Sequence, residues 1–400
     1  MSLLIISSHS KISLIRYPYL QSMHKDGLTI LWRTNQGKSC YIQYKIKGEK
    51  TWDKTEGTLR VLSENVLENE VILKALAPNQ SYEYQIFTDG QALLGQTTMQ
   101  FNSWKDRSAK GFNFFAVGDI GEDVKDEGKP DKLGEALAPY ALSQDFGLLL
   151  GDIIYPNGES KLYDTQLFQY FTGVFPYMTI WTVLGNHDWG LDPEENYKKE
   201  WKLPHNEHYY SFDHANAHFI ALDSKKGDFF EYEKQKLWLI EDLEAAQQKG
   251  FDWLFVFLHH NGKSCTYKKD EEKVIALYPI FEKYHVDLVL NGHAHTYERL
   301  QPMNGQGELT QTYPYGQSDY ENPQGFISIT VGSGGKLRGV GTDPEVFEPD
   351  PENCRHPNLV AQSNHSWIFL NLSVEGKTLR AKAIRTLDQA VVDEFEVQKN

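Results

Sequence analysis

Seven polar residues stand at or just beyond the ends of short apolar runs: Asp119, Asp152, Tyr155, Asn186, His259, His293 and His295. They fall in five signatures, in chain order Gly118-Asp119-Ile120-Gly121, Gly151-Asp152-Ile153-Ile154-Tyr155, Gly185-Asn186-His187-Asp188, Val256-Phe257-Leu258-His259 and Gly292-His293-Ala294-His295. Hard oxygen donors mixed with imidazoles are a donor set for first-row metal ions. They are too many for one tetrahedral site. They suit two ions that share a bridging carboxylate, and such a pair can clamp a phosphoryl group and acidify water. Taken singly, each residue is ordinary: an Asp after a strand is a turn residue, and a lone His is a satisfied polar group. The ordered set is what points to chemistry.

The runs that carry these residues are Phe112–Val117, Phe146–Leu150, Met178–Leu184, Trp253–Leu258 and Val286–Leu290. Each reads as a buried strand that ends in a tight loop. If the strands are parallel, the loops leave at one end, where open α/β sheets hold their ligands. Helical patterns alternate with them at Pro130–Leu142, Lys161–Phe171, Tyr232–Gln248 and Lys273–Tyr284. The third is the clearest, with Leu237, Leu239, Ile240 and Leu243 in helical spacing and Gly250 as terminator. Such alternation predicts an α/β core.

The front of the chain, from about Lys11 to Trp104, reads differently. Leu28–Arg33, Cys40–Ile46, Glu70–Leu76 and Tyr82–Phe87 are strand-like and separated by turn residues. Trp32 is a core candidate. Leu76-Ala77-Pro78 followed by Tyr82 has the look of a β-sandwich tyrosine corner. The stretch Phe101–Gly111 is polar and aperiodic, which sets a boundary and two domains, 11–105 and 111–400. Beyond His295 comes a turn-rich stretch, Gln301–Pro323, of a length that usually serves function. A strand at Gly325–Val331 and a hairpin of Trp367–Val374 and Lys377–Arg385 close the pattern.

The net charge of −15 argues against nucleic acid or an anionic membrane surface as a partner. It also repels phosphate esters at long range, so any attraction must be local. Nothing approaches the ~20 apolar residues of a membrane span. Leu3–Ile6 is too short for a signal-peptide core. Three cysteines, Cys40, Cys265 and Cys354, are too few for a disulfide framework.

The five signatures resemble those of the calcineurin-like metallophosphoesterases. The tyrosine of Gly-Asp-x-x-Tyr narrows the resemblance to the purple acid phosphatases. The front segment is similar to the fibronectin type III-like domain that precedes many of their catalytic domains, with Tyr17-Pro18-Tyr19-Leu20-Gln21 as its opening strand. The resemblance covers nearly the whole chain. It implies a β-sandwich followed by an α/β domain of two packed β-sheets flanked by helices, αββα. It implies one ion held by Asp119, Asp152, Tyr155 and His295, and a second held by Asp152, Asn186, His259 and His293, with Asp152 bridging. Three anionic ligands suit a trivalent ion, and a tyrosinate favours Fe(III), because a hard ion can depress a phenol from its usual pKa of about 10. The partner ion could be Fe(II), Zn or Mn.

The activity so implied is that of an acid phosphatase, which hydrolyses phosphomonoesters by attack of metal-bound hydroxide. A phosphodiesterase or nucleotide hydrolase on the same site is the alternative, and a non-catalytic surface binding protein is the third reading. His187 is implied near the leaving-group oxygen, as proton donor or phosphate binder; its plainer role is to orient Asn186. His260 contacts phosphate or simply lines the cleft. Asp188 supports the ligands from behind. Plant-type members carry further histidines after the fourth signature, whereas this chain has Asn261-Gly262-Lys263-Ser264-Cys265, with Lys263 as a candidate electrostatic substitute. His205 and His208 fall in a cleft-side loop, and His218 reads as structural. The sandwich either packs on the catalytic domain or binds a partner or carbohydrate. The expected partner is a small phosphorylated substrate, and the oligomeric state is open. The resemblance implies a secreted or periplasmic protein, where Cys265–Cys354 could pair; isolated thiols are the alternative.

Overall fold

The computed structural model describes residues 11–121, 129–225, 227–337 and 354–400. The run Leu3–Ile6 lies outside them. Along Ser81–Thr88 every second side chain is buried, so Tyr82, Tyr84, Ile86 and Thr88 face inward. Gly27–Thr34 lies opposite, and its fully buried Trp32 donates the indole N–H to the Thr88 hydroxyl at 3.2 Å. The Ala77 N–H donates to the Tyr82 phenol oxygen at 2.9 Å, which is the expected tyrosine corner. One sheet of this sandwich runs Asp53–Glu56, Cys40–Ile46, Ser81–Thr88, Gln91–Ala92, with Met99–Asn102 also paired to Ser81–Thr88.

The other sandwich sheet does not stop at the sandwich. Leu14–His24 pairs in parallel with Thr179–Thr182, with Leu20 opposite Thr179. An 11-stranded sheet results, in which Ile368–Glu375, Gly111–Val117, Phe146–Leu149 and Thr179–Thr182 are followed by Leu14–His24 and Gly27–Thr34. A 7-stranded sheet holds Ala217–Ala221, Trp253–Phe257, Leu288–Asn291 and Ile327–Val331 as parallel neighbours.

The two sheets meet on aromatic rings. Phe114 and Phe146 of the first meet Phe219 of the second edge to face, at 5.3 and 5.1 Å, and Trp181 stacks on Phe212 at 4.1 Å. Such pairs add to the burial of apolar area and fix sheet spacing. Helices cover the outer faces. Leu239, Leu243 and Ala246 of Tyr232–Lys249 share a core with Val256 and Val289, and Leu133 and Leu137 of Pro130–Leu137 join the larger core. The layering is αββα, after a β-rich N-terminal domain.

Helix lengths differ from the sequence pattern for local reasons. The α-helix Pro130–Leu137 gives way to a 3-10 turn at Ala138–Tyr140, where Pro139 lacks the N–H a helix would use. Lys161–Phe171 is three short pieces that break at Leu167, whose backbone leaves the helical region. The break lets Phe168 meet Tyr19 at 4.8 Å and receive the Arg16 guanidinium on its face at 3.7 Å. Lys273–Tyr284 is likewise split into Glu272–Ile275 and Tyr278–Lys283. In Tyr232–Lys249, Leu237 is 62% exposed, because it lies about 200° from Leu239 around the helix. The closing hairpin pairs Ile368–Glu375 with Thr378–Arg385, and Val391–Gln398 adds a strand that the pattern had not suggested.

A buried ion network joins the sandwich to the rest. Glu200 is 1% exposed, accepts from Arg33 at 2.7 Å and is paired in charge with Arg16 at 2.7 Å. Arg16 also meets Asp164, and Arg33 and Arg60 share Glu68. The Ser160 hydroxyl donates to the other Glu200 oxygen, and Tyr19 to its backbone carbonyl at 3.1 Å. On the second sheet, His218 sits between Asp213 at 2.6 Å and Asp242 at 2.8 Å, tying a strand to helix Tyr232–Lys249. Burial opposes its charge, but the two carboxylates win and raise its pKa.

Removing one partner of a buried ion network leaves the others uncompensated. Glu200→Ala should therefore lower stability by about 3–5 kcal/mol in urea unfolding. A loss under about 1 kcal/mol would show that the network carries little. The His218 contribution has the opposite pH sign to that of a carboxylate. It is complete below the unfolded value of about 6.5 and is lost as pH rises through the raised folded value. The stability gap between the wild type and His218→Gln should thus be wider at about pH 6 than at about pH 9; an equal gap would contradict the pairing.

Candidate metal centre

Loops from both sheets converge on one place. Asp119 follows Gly111–Val117, Asp152 and Tyr155 follow Phe146–Leu149, and Asn186 and His187 follow Thr179–Thr182. From the second sheet, His259 follows Trp253–Phe257, and His293 and His295 follow Leu288–Asn291. The chain turns there through strained backbone: Asp119, Asp152 and His293 have φ of 55°, 49° and 69°. Non-glycine residues in that region cost of order 1 kcal/mol or more and gather at functional sites. Close approach demands glycine nearby. A Cβ on Gly185 would lie 2.2 Å from Asp152 Oδ1, and one on Gly292 would lie 2.7 Å from Asp119 Oδ2.

All seven residues form one contact network. The Tyr155 phenol donates to Asp119 Oδ1 at 3.3 Å and lies 3.4 Å from Asp152 Oδ2. His295 Nε2 is 3.3 Å from Asp119 Oδ1. His259 Nε2 is 3.3 Å from both Asp152 Oδ2 and Asn186 Oδ1. The rings of His259 and His293 are 5.1 Å apart, and the His293 N–H donates to Asp119 Oδ2 at 2.8 Å. The ligand atoms of Asp119, Asp152 and His259 lie within 4.8 Å of one another, as do those of His259, His260 and His293.

The electrostatics describe a crowded anionic centre. Burial and the neighbouring Asp119 and Asp152 push the Tyr155 phenol well above its ordinary value. Burial would raise Asp152 too, but His259 and the His187 N–H hold it far below the carboxylate range. The same attraction overcomes burial at His259 and lifts it to about 9. His293 is driven down by burial and by the charges of His260 and His259. Lys336 lies over the Tyr155 ring at 4.5 Å. The donor set fits metal ions: buried carboxylates, a phenol and imidazoles converge, and the buried Nδ1 atoms of His293 and His295 have no hydrogen-bond partner among the described residues.

The flanking residues sort themselves by contact. The His187 Nδ1–H donates to the Pro156 carbonyl at 2.6 Å, and Nε2 is 3.9 Å from Asp152 Oδ2. The His260 backbone N–H donates to Ser224 Oγ, which lies 2.8 Å from its Nδ1. Buried Asp188 accepts from the Gly185 and Ile153 N–H groups at 2.9 and 3.2 Å and so ties two of the loops together. A cleft of about 560 Å³ opens beside Asn186, His187, His260, Glu271 and His293.

His205 and His208 do not line that cleft. His205 packs on Tyr209 and Trp238, and His208 is buried between Asp223 and Glu194. Lys263 is turned away, with Nζ donating to the Gly307 carbonyl at 2.8 Å. Cys265 and Cys354 form a disulfide, and Cys40 is a buried free thiol. Sequence reasoning missed Ser224, Glu271 and Tyr267, whose hydroxyl accepts from the His295 N–H at 3.2 Å. None of the three follows a strand with a signature, so only tertiary structure brings them in.

Residues 112–297 match the calcineurin-like phosphoesterases. Residues 17–105 match the N-terminal domain of purple acid phosphatases. Purple acid phosphatase 18 of Arabidopsis thaliana is 29% identical over 255 residues, covering 60% of this chain and 53% of that protein. Probable purple acid phosphatase 20 of the same plant is 26% identical over 355 residues, covering 82% of this chain and 75% of that one. The chain thus spans little more than half the length of the first relative. The structure of a purple acid phosphatase from yellow lupin (Lupinus luteus) seeds superposes with a TM-score of 0.74 at 18% identity, over 96% of this chain and 74% of that one. That likeness is one of fold.

A centre that binds metal only when folded is stabilised by it. Mn²⁺ or Zn²⁺ added to chelator-treated protein should raise Tm, and Asp152→Asn should abolish most of the gain. An equal gain in the variant would place binding elsewhere.

Proposed function

We propose that the chain is a binuclear metal-dependent phosphoester hydrolase that acts on phosphomonoesters as an acid phosphatase. The observation that carries this is the convergence of Asp119, Asp152, Tyr155, Asn186, His259, His293 and His295 from two sheets. In this reading Asp119, Asp152, Tyr155 and His295 hold one ion, and Asp152, Asn186, His259 and His293 hold the other. The first is Fe(III), since the phenol needs a stronger positive centre than a side chain to ionise; the second is Fe(II), Zn or Mn. Bound ions would supply the positive charge that a phosphoryl group needs and would acidify water.

The chain's own groups do the rest. His187 is 36% exposed at the cleft, and its Nδ1–H is committed to Pro156. A carbonyl can only accept, so Nε2 carries a proton for a leaving group only in the imidazolium form. The Ser224 hydroxyl can give its hydrogen to His260 Nδ1, which leaves Nε2–H for a phosphoryl oxygen. We take the domains as 11–105 and 111–400. The Cys265–Cys354 disulfide favours an oxidising compartment, hence a secreted or periplasmic protein. Among the described residues no helix is long and apolar enough to cross a membrane.

The test compares initial rates on a chromogenic phosphomonoester and its bis-ester at about pH 5 and pH 8, with the chain loaded with Fe and Zn. Fast monoester cleavage at the acid pH is expected. His187→Ala should lower kcat about 10²–10⁴-fold on alkyl esters and less on esters with acidic leaving groups. Preference for the bis-ester, or activity mainly at the alkaline pH, would overturn the acid phosphatase reading.

A further inference from the structure

The loop after His259 departs from the plant-type pattern in sequence, and Lys263 does not face the cleft. The same loop sets Tyr267 against His295, with Lys268 beside it. The Tyr267 ring lies 6.2 Å from the His295 ring, its hydroxyl accepts the His295 N–H at 3.2 Å, and the side chain is 44% exposed. Lys268 has its ammonium 5.5 Å from the Tyr267 ring.

The loop is held from several sides. The disulfide to Cys354 anchors it at Cys265. Arg355 donates to the Ser264 carbonyl at 3.1 Å and to the Lys268 carbonyl, and His356 Nε2 is 2.6 Å from Asp270. Buried Glu298 accepts from the Ser264 hydroxyl at 2.8 Å and the Cys265 N–H at 2.9 Å. A half-exposed aromatic ring on a rigid backbone beside a reaction centre is preorganised for stacking. A cation there offsets, locally, the net charge of −15 that repels a phosphate.

We propose that Tyr267 makes this site select phosphomonoesters with an aromatic leaving group, and that Lys268 beside it adds phosphate affinity without that selectivity. The Tyr267 ring stacks on that group, and Lys268 draws in the phosphate dianion. The inference rests on the hydrolase reading above and names the substrate class for the same site.

The experiment measures binding as well as turnover on the metal-loaded full chain. Dissociation constants for phenylphosphonate and methylphosphonate are compared with kcat/KM for phenyl phosphate and glycerol phosphate. The wild type should prefer the aromatic member of each pair. Tyr267→Ala should lower both preferences about three- to tenfold, whereas Tyr267→Phe, which keeps the ring and loses the contact with His295, should retain them. Lys268→Ala should raise KM for both esters alike and flatten its dependence on ionic strength. A loss of backbone support alone would lower both esters equally. Preferences unchanged in Tyr267→Ala would overturn this inference and leave hydrolysis standing. If the wild type binds neither phosphonate and turns over neither ester, the hydrolase reading falls and this one with it.

Discussion

Asp119 and Asp152 are both fully shielded from solvent, and both lie within hydrogen-bond reach of one phenol. Taking a carboxylate out of water costs several kcal/mol unless opposite charge or donors surround it. The protein answers in part with His259 and with the backbone N–H groups of His187 and His293. These leave the Tyr155 phenol without a centre strong enough to ionise it, and two imidazole nitrogens without a hydrogen-bond partner among the described residues. A site that concentrates negative charge and spare donors in a dry place is built around a cation. The rest of the structure can be read as the apparatus that holds this arrangement against its own repulsion.

That apparatus is mostly backbone. Three left-handed non-glycine residues aim the carboxylates and His293, and glycines at 185 and 292 clear the space against which the carboxylate oxygens rest. Asp188 binds the Gly185 and Ile153 amides, so the loop of Asn186 cannot move without that of Asp152. Below the loops, rings from the two sheets interlock, with Phe114 and Phe146 against Phe219 and Trp181 against Phe212. Packed aromatic layers resist sliding, so the ends of five strands keep their mutual distance. Strain in the loops is tolerable because the layers beneath over-determine their ends.

The ligand loops were legible in sequence because each depends on a local rule. A run such as Phe146–Leu150 makes a strand by its own apolar content, and Gly151-Asp152 ends it by its own turn chemistry. Tyr82 and Gly250 were legible for the same reason: a corner and a helix stop are short-range devices. What failed to show was set by contacts distant in sequence. Phe168 breaks a helical pattern because Tyr19 and Arg16, far upstream, claim its two sides. His208 sits in a loop that reads as cleft-side, yet Asp223 and Glu194 draw it inside. Tyr267 carries no signature at all, and a disulfide to Cys354 and the amide of His295 set its position.

The pairing of Leu14–His24 with Thr179–Thr182 bears on what the N-terminal domain is for. A module that recruits a partner can be joined by a linker and a small interface. Here its first strand extends the sheet that supplies Asp119, Asp152 and Asn186, and its buried Arg16 and Arg33 neutralise Glu200. Glu200 in turn accepts from Ser160, which lies on the segment leaving Tyr155. Tyr84, from the far sheet of the sandwich, donates to the Pro176 carbonyl at 2.7 Å, just before Thr179–Thr182 begins. Charge neutralised across a boundary cannot be separated cheaply, since each half would keep an unpaired buried ion. The sandwich is therefore part of the frame of the centre, and of the two roles open to it, packing on the α/β layers is the one these contacts favour.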